Sequence, residues 1–228
     1  MIRYERDRVK AAYVAHMPAE KALTFKNDFE AESKYWQEQM DESIIRMTLT
    51  DGALGIWTYL ESDPNYANIP KLLDFSHAIE HLGSAAEALF GKNSPEGTYW
   101  YSKWKYNLKE DEDAANKLCR SIGYYMKSQR LGKARRHDAE KQLTFFKRNR
   151  KRMNYVEFIN KGLPIGSGPV EAACKTIVKY RMCKSGMRWS RKGGQPILSI
   201  RSIVKSNRWD QFWKLYVSKQ HEQMQLAS

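Results

Sequence analysis

The sequence predicts an α/β fold in which a long helical insertion interrupts a small set of strands. Three observations predict it. Strand and helix patterns alternate over residues 2–90, helical periodicity runs without a strand signal from Ser94 to about Asn160, and a breaker-rich loop, Gly162–Gly168, precedes a return to helix.

Each element has its own signal. Ile2–Met17 alternates, with Val9, Ala11, Tyr13 and Ala15 on one face, as a strand or short hairpin does. Pro18 opens a helical stretch from about Ala19 to Glu42, with Leu23, Phe25, Phe29, Ala31, Tyr35 and Trp36 as its expected buried side. The β-branched run Ser43–Thr50 ends at the dipeptide Asp51-Gly52, which turns into a short helix, Leu54–Leu60, and a Pro/Asn loop. Ile69–Phe75 reads as a buried strand, and Ser76–Phe90 as a helix with Ser76 as N-cap and Gly91 as stop. The helices that follow grow basic and are densest in charge over Arg130–Arg152. After the loop, Pro169–Cys183 suits a helix with Gly168 as N-cap and Pro169 in the first turn. A loop carrying SGMRWSRKGG leads to one or two closing helices, Gln195–Tyr216.

Charge is distributed unevenly. The chain has a formal net charge of +13. Residues 1–113 carry 13 Lys/Arg against 20 Asp/Glu, and residues 114–228 carry 26 against 6, so the halves sum to −7 and +20. A polyphosphate is the natural counterion of so basic a region, although RNA or an anionic membrane surface satisfies the same sign. The three cysteines, 119, 174 and 183, form no CxxC pair and read as reduced thiols rather than a disulfide frame or zinc site. No signal peptide, transit peptide or membrane span is visible, so a cytoplasmic protein with no membrane partner is expected.

Several residues are candidates for chemistry, each with a plainer alternative. Asp51 stands where a strand ends in a Gly-permitted turn, as carboxylates of metal or phosphoryl sites in α/β folds do, yet Asp-Gly is also ordinary turn punctuation. Glu171 opens a helix that carries Lys175, Lys179 and Arg181; it suits a metal, or equally the helix dipole and an ion pair with Lys175. Asp74 and His77 lack zinc-site spacing and read as structural or substrate-positioning residues. The run containing Lys133, Arg135, Arg136, Lys147, Arg148, Arg150, Lys151 and Arg152 is a solvated helix face or a contact to the DNA backbone. Trp189, between Arg188 and Arg191, is placed to wedge, stack or anchor a loop.

Longer motifs narrow these choices. The stretch GLPIGSGPVEAACKTIVKYRMCKSGMRWSRKGGQPILSIRSIVKSNRWDQFW and, upstream, TDGALGIW…LLDFSHAIEHLGSAAEALFG together resemble bacterial insertion-sequence transposases with a DDE catalytic core, Mutator-like in motif layout. The resemblance implies an RNase H-like core with an all-helical insertion and C-terminal helices. It divides the chain into a partial core over residues 1–93, a basic helical insertion over 94–161, and the last catalytic helix with the closing helices over 162–228. In that family three acids hold two divalent metals, normally Mg²⁺ and in places Mn²⁺, for in-line phosphoryl displacement on DNA. Asp51 matches the second acid and Glu171 the third, with Asp74 and His77 in the segment between them.

The first acid has no counterpart. Asp7, the only early aspartate, lies in Arg6-Asp7-Arg8 and lacks the family's Asp-Gly setting; a hairpin turn suits it better. The resemblance therefore implies a truncated core whose first strand and DNA-end recognition region fall before Met1. It leaves two functions open: a transposase fragment keeping Asp51 and Glu171 as metal ligands, or a catalytically inactive DNA-binding remnant or regulator of full-length transposase. The implied partners are DNA, as transposon ends and target, and a second copy or full-length transposase. The implied location is the nucleoid of a bacterial cytoplasm.

Overall fold

The computed structural model describes residues 1–5, 8–18, 23–39 and 44–226. Strands are few and short because only three runs combine β-branched residues with alternation, and helices take most of the remainder. In chain order the elements are β1 (Ile2–Glu5), β2 (Arg8–Ala11), α1 (Leu23–Glu38), β3 (Thr48–Thr50), α2 (Leu54–Ser62), α3 (Pro64–Ala67), β4 (Lys71–Leu73) and α4 (Phe75–Phe90). Then follow α5 (Pro95–Glu110), α6 (Ala114–Ser128), α7 (Lys133–Asn149) with a 3₁₀ turn at Arg150–Arg152, α8 (Tyr155–Asn160), and α9 (Gly168–Ala173). A π turn over Cys174–Lys179 joins α9 to α10 (Tyr180–Met182), before α11 (Arg191–Lys205) and α12 (Trp209–Leu226). The chain is thus α/β with helix dominant. Among the described residues no helix is long and apolar enough to cross a membrane.

The residues form two units, Ile45–Ser167 as one continuous run and Met1–Ile44 with Gly168–Ser228 as the other. In the continuous unit β3 and β4 pair in parallel, Thr48 opposite Lys71, Leu49 opposite Leu72 and Thr50 opposite Leu73. Parallel strands need a crossover, which α2 and α3 supply. Leu72 and Leu73 are fully buried. The helix that follows, α4, turns Ala78, Leu82, Ala85 and Leu89 into the core, where they meet Trp100 and Leu108 of α5, Leu118 and Ile122 of α6, and Phe146 of α7. Alanines at helical spacing on α4 leave room for close helix–helix approach.

The sequence places the start of α4 two residues late. Asp74, not Ser76, is the N-cap: its Oδ1 accepts from the amides of Ser76 at 2.7 Å and His77 at 3.3 Å. β4 ends at Leu73, so the first residue free to leave extended geometry and cap a helix is Asp74. Gly91 does end the helix, at φ +93°.

In the discontinuous unit β1 and β2 form an antiparallel hairpin, with Ile2 opposite Ala11 and Glu5 opposite Arg8. Asp7 lies outside the described residues. The expected buried side of α1 is not the observed one: Phe25, Ala31 and Tyr35 are exposed, and Ser33 is buried instead. Phe25 instead stacks along the helix on Phe29, at 6.1 Å between ring centroids. The Glu32–Arg208 ion pair ties this helix to the chain before α12. Arg208 Nη1 donates to Glu32 Oε2 at 2.7 Å, and Trp36 Nε1 donates to Oε1 at 2.5 Å. Burial alone pushes the Glu32 carboxyl up, but these two hydrogen bonds and the guanidinium charge outweigh it and hold the group below the usual carboxylate range.

Among the described residues of this unit one core cluster is Ala173, Ile177 and Leu198, with Tyr13, Met17 and Met182 against them. Gly194 is buried there, and a Cβ on it would meet Met17 Sδ at 2.7 Å and Met182 Cε at 2.9 Å. Arg191–Gly194, read from the sequence as loop, begins α11 instead. Ser190 caps the helix through the Gly193 amide at 3.1 Å, and a glycine lets the methionines close over the first turn.

Candidate functional site

Asp51 and Asp74 each follow the last residue of a strand, and because Thr50 pairs with Leu73 the two carboxylates occupy matching positions at the carboxyl ends of parallel neighbours. This is where α/β sheets ordinarily present functional groups. Their surroundings nevertheless differ. Asp74 is 1% exposed, and besides the two cap amides its Oδ2 accepts from the Ser167 amide at 2.7 Å. Together with the bond from the Phe75 amide to the Ile165 carbonyl at 2.9 Å, this fixes the loop Leu163–Ser167 against the start of α4. Asp74 is a positioning residue whose lone pairs are committed to backbone.

Asp51 is exposed. Its Oδ1 accepts from the Ala53 amide at 3.0 Å, which shapes the turn into α2, and its other oxygen has no partner among the described residues. Gly52 beside it adopts φ +89°. A Cβ there would lie 2.8 Å from Leu73 Cδ1, 3.3 Å from Phe145 Cε2 and 3.4 Å from Asn149 Nδ2. The glycine is therefore demanded twice, by the backbone and by the approach of the α7 C-terminal turn.

That turn also holds the Gly52 backbone. Arg148 Nη2 donates to the Gly52 carbonyl at 3.2 Å, with its guanidinium 6.0 Å from the centre of the Phe145 ring. Asn149, fully buried, accepts from Trp57 Nε1 at 3.0 Å and donates to the Phe145 carbonyl at 3.0 Å, locking α2 to the same end of α7. Arg152 pairs with Glu61 and lies over the Trp57 ring, 4.6 Å from its centre. Lys147, Arg150 and Lys151 are exposed and have no acidic partner among the described residues.

The rest of the basic run is divided in the same way. Arg135 donates to the Ala88 and Leu89 carbonyls at 3.0 and 2.6 Å, closing the C-terminus of α4, and Arg136 donates to the Met126 carbonyl at 3.2 Å near the end of α6. Guanidinium groups at helix C-termini serve the unsatisfied carbonyls there. Lys133 is exposed and unpartnered among the described residues. The sequence-predicted DNA-contact residues thus include four, Arg135, Arg136, Arg148 and Arg152, whose side chains bond within the protein.

His77 is half-buried and its ring has no hydrogen bond to any described residue, whereas His81 bonds Gln142 through Nδ1 at 2.6 Å and stacks on Phe145 at 3.5 Å. Tyr155 is buried against Phe75, and its hydroxyl finds no partner; burial first, and the Asp74 charge second, push that hydroxyl well above the usual tyrosine range.

Glu171 belongs to the discontinuous unit. The helix begins at Gly168 rather than Pro169, so Glu171 is its fourth residue, exposed, with no ion pair to Lys175 and no bond to any described residue. Lys175, Lys179 and Arg181 are exposed on the π turn and α10, as are Arg188, Trp189 and Arg191 farther on. The π turn was not legible in the sequence. Thr176 supports it by donating to the Ala172 carbonyl at 2.9 Å, and Arg201 donates to the Ile177 carbonyl at 3.1 Å and to that of Thr176.

Hard carboxylate oxygens suit Mg²⁺ or Mn²⁺. By donor number, neither unit assembles a site of its own: among the described residues no three His, Cys, Asp or Glu side chains come together as a metal-holding group. The cysteines are free thiols, with Cys119 buried and its thiol pushed up by that burial. No family model, no curated protein and no solved structure matches the chain, so the functional reading rests on the arrangement of its own residues.

Proposed function

We propose that the chain is a DNA-binding protein of the DDE-transposase type, built on an RNase H-like core, in which Asp51 and Glu171 are acids for metal-dependent strand cleavage. One observation carries the reading. The carboxylate of Asp51 is exposed at the carboxyl end of β3, in a turn whose Gly52 carbonyl accepts from Arg148 of α7. An exposed acid at a strand end suits metal chemistry on a phosphodiester, and the exposed Lys147, Arg150 and Lys151 of the same unit offer unpaired cations to a phosphate backbone. In this reading Asp51 and Glu171, each in its own unit, are acids that would serve a divalent metal, Mg²⁺ or Mn²⁺, whose Lewis-acid chemistry would act on transposon ends or target. The protein's own part is to hold the phosphate backbone with Lys133, Lys147, Arg150 and Lys151, and with Lys175, Lys179, Arg181, Arg188 and Arg191.

Affinity for duplex DNA is expected to fall linearly on a log–log plot against salt, with a slope of about −0.9 for each phosphate neutralised. Replacing Lys147, Arg150 and Lys151 together by alanine should make that slope shallower by about 2 to 3. A slope unchanged by the triple substitution would place the DNA elsewhere.

Cleavage is tested by nicking of supercoiled plasmid in Mg²⁺ or Mn²⁺, comparing the native chain with Glu171→Gln. Nicking that disappears in the variant assigns the chain a working site. Binding without nicking in either protein selects the second reading, a non-catalytic DNA-binding protein that occupies DNA or opposes a full-length transposase.

A further inference from the structure

A cleft of about 240 Å³ opens in the discontinuous unit, lined by Arg181, Met187, Trp189, Ile197, Ile200 and Arg201. Three features define its chemistry. Met187, Ile197 and Ile200 give it apolar surface, and Trp189, 39% exposed, gives it a flat aromatic wall. Arg201 is immobilised, since its guanidinium is bonded to the Ile177 and Thr176 carbonyls, so its aliphatic stem is a fixed part of the lining. Arg181 is exposed and has no acidic partner among the described residues, and none of the six lining side chains is an acid.

A flat ring beside an anion is the ligand such a cleft fits. We propose that it takes one unstacked nucleobase of a DNA strand, with Trp189 stacking on the base and Arg181 meeting the adjoining phosphate. A base inside an intact duplex is already stacked on both faces and cannot present one to Trp189, so the ligand is an unpaired or extruded nucleotide. Charge favours this occupant over a second copy of the chain. Residues 168–228 carry twelve Lys/Arg against three Asp/Glu, so two copies would meet as like charges while a polyanion is attracted. The inference rests on the DNA-binding reading and adds to it a preference for exposed bases that backbone contacts alone do not produce.

The test is fluorescence anisotropy with the full chain and three labelled probes: an intact duplex, the same duplex with one extrahelical thymine, and oligothymidine. Trp189→Leu keeps an apolar side chain and removes the wide aromatic face, whereas Trp189→Phe keeps an aromatic face. The native chain should prefer the extrahelical thymine and oligothymidine, Trp189→Leu should lose about tenfold on those two probes, and Trp189→Phe should recover most of it. Intact-duplex affinity should change less than about twofold in either variant, because its contacts are to phosphate. Equal losses on all three probes, or leucine performing as well as tryptophan, would overturn the site while leaving DNA binding standing. Tighter binding of oligouridine RNA than of oligothymidine would overturn the assignment to DNA. No binding of any probe would remove the DNA-binding reading itself, and the cleft's ligand with it.

Discussion

Asp74→Ala is expected to destabilise the Ile45–Ser167 unit by about 3–5 kcal/mol, because three backbone amides lose their acceptor at once in a position closed to water. The three do not contribute alike. Ser76 and His77 are orphan donors of the first helical turn, and their loss frays α4, which carries much of the core. Ser167 lies far along the chain, and its loss frees the loop that the Phe75–Ile165 bond alone then holds. Asp74→Asn separates these roles. Its amide oxygen still serves the cap, while its NH₂ group faces the Ser167 N–H, donor against donor, for a cost of about 1–2 kcal/mol. Urea unfolding of the two variants checks the ordering; an alanine variant within about 1 kcal/mol of the native chain would mean that water reaches these amides.

A second large effect is expected at Gly52. Gly52→Ala forces a side chain into φ +89°, a conformation costing L-residues about 1–2 kcal/mol, and sets its Cβ 2.8 Å from Leu73 Cδ1. The combined loss is expected to be about 2–4 kcal/mol, relieved only if α7 withdraws from the turn. Withdrawal would also break the Arg148–Gly52 bond, so affinity for duplex DNA should fall along with stability. Gly55→Ala, three residues away, supplies the contrast: it lies on α2 with nothing within 4 Å, and there alanine should stabilise by about 0.4–1 kcal/mol. If both glycines behave alike, the close approach at Gly52 is not what selects it.

What the sequence showed and what it hid follow from how local each signal is. The Gly91 stop and the hairpin near the N-terminus were legible because a breaker or an alternation acts within a few residues. The cap of α4 was misplaced by two residues because the end of β4 decides it, through pairing with β3. The buried face of α1 was misread because its aromatic residues do not mark it: Phe25 and Tyr35 are exposed, and the side that packs is marked by Ser33 and the Glu32–Arg208 pair. In α7 the core stripe is Ala139, Gln142, Phe145, Phe146 and Asn149, in which two polar members mask the helical period. Charge density along the same helix says nothing of where each long side chain turns, so Arg135, Arg136, Arg148 and Arg152, all bonded within the protein, look in sequence like Lys147 and Lys151. The Asp51-Gly52 pair was legible as a turn; the reason for its glycine, the docking of Phe145 and Asn149, lies about a hundred residues downstream.

The chain places one continuous unit between the two parts of the other. During synthesis the segment Met1–Ile44 leaves the ribosome ahead of the residues it packs against, Leu198, Gln195 and Arg208 among them, which are made after the entire Ile45–Ser167 run. That run holds its own core and has all its residues in hand by Ser167. The order of folding is therefore the reverse of the order of birth for the opening segment, which stays unmatched through the making of a whole neighbour. Longer surface loops in that neighbour would lengthen the wait in proportion, while each doubling of the intervening chain would cost the finished unit only about 0.6 kcal/mol in closure entropy.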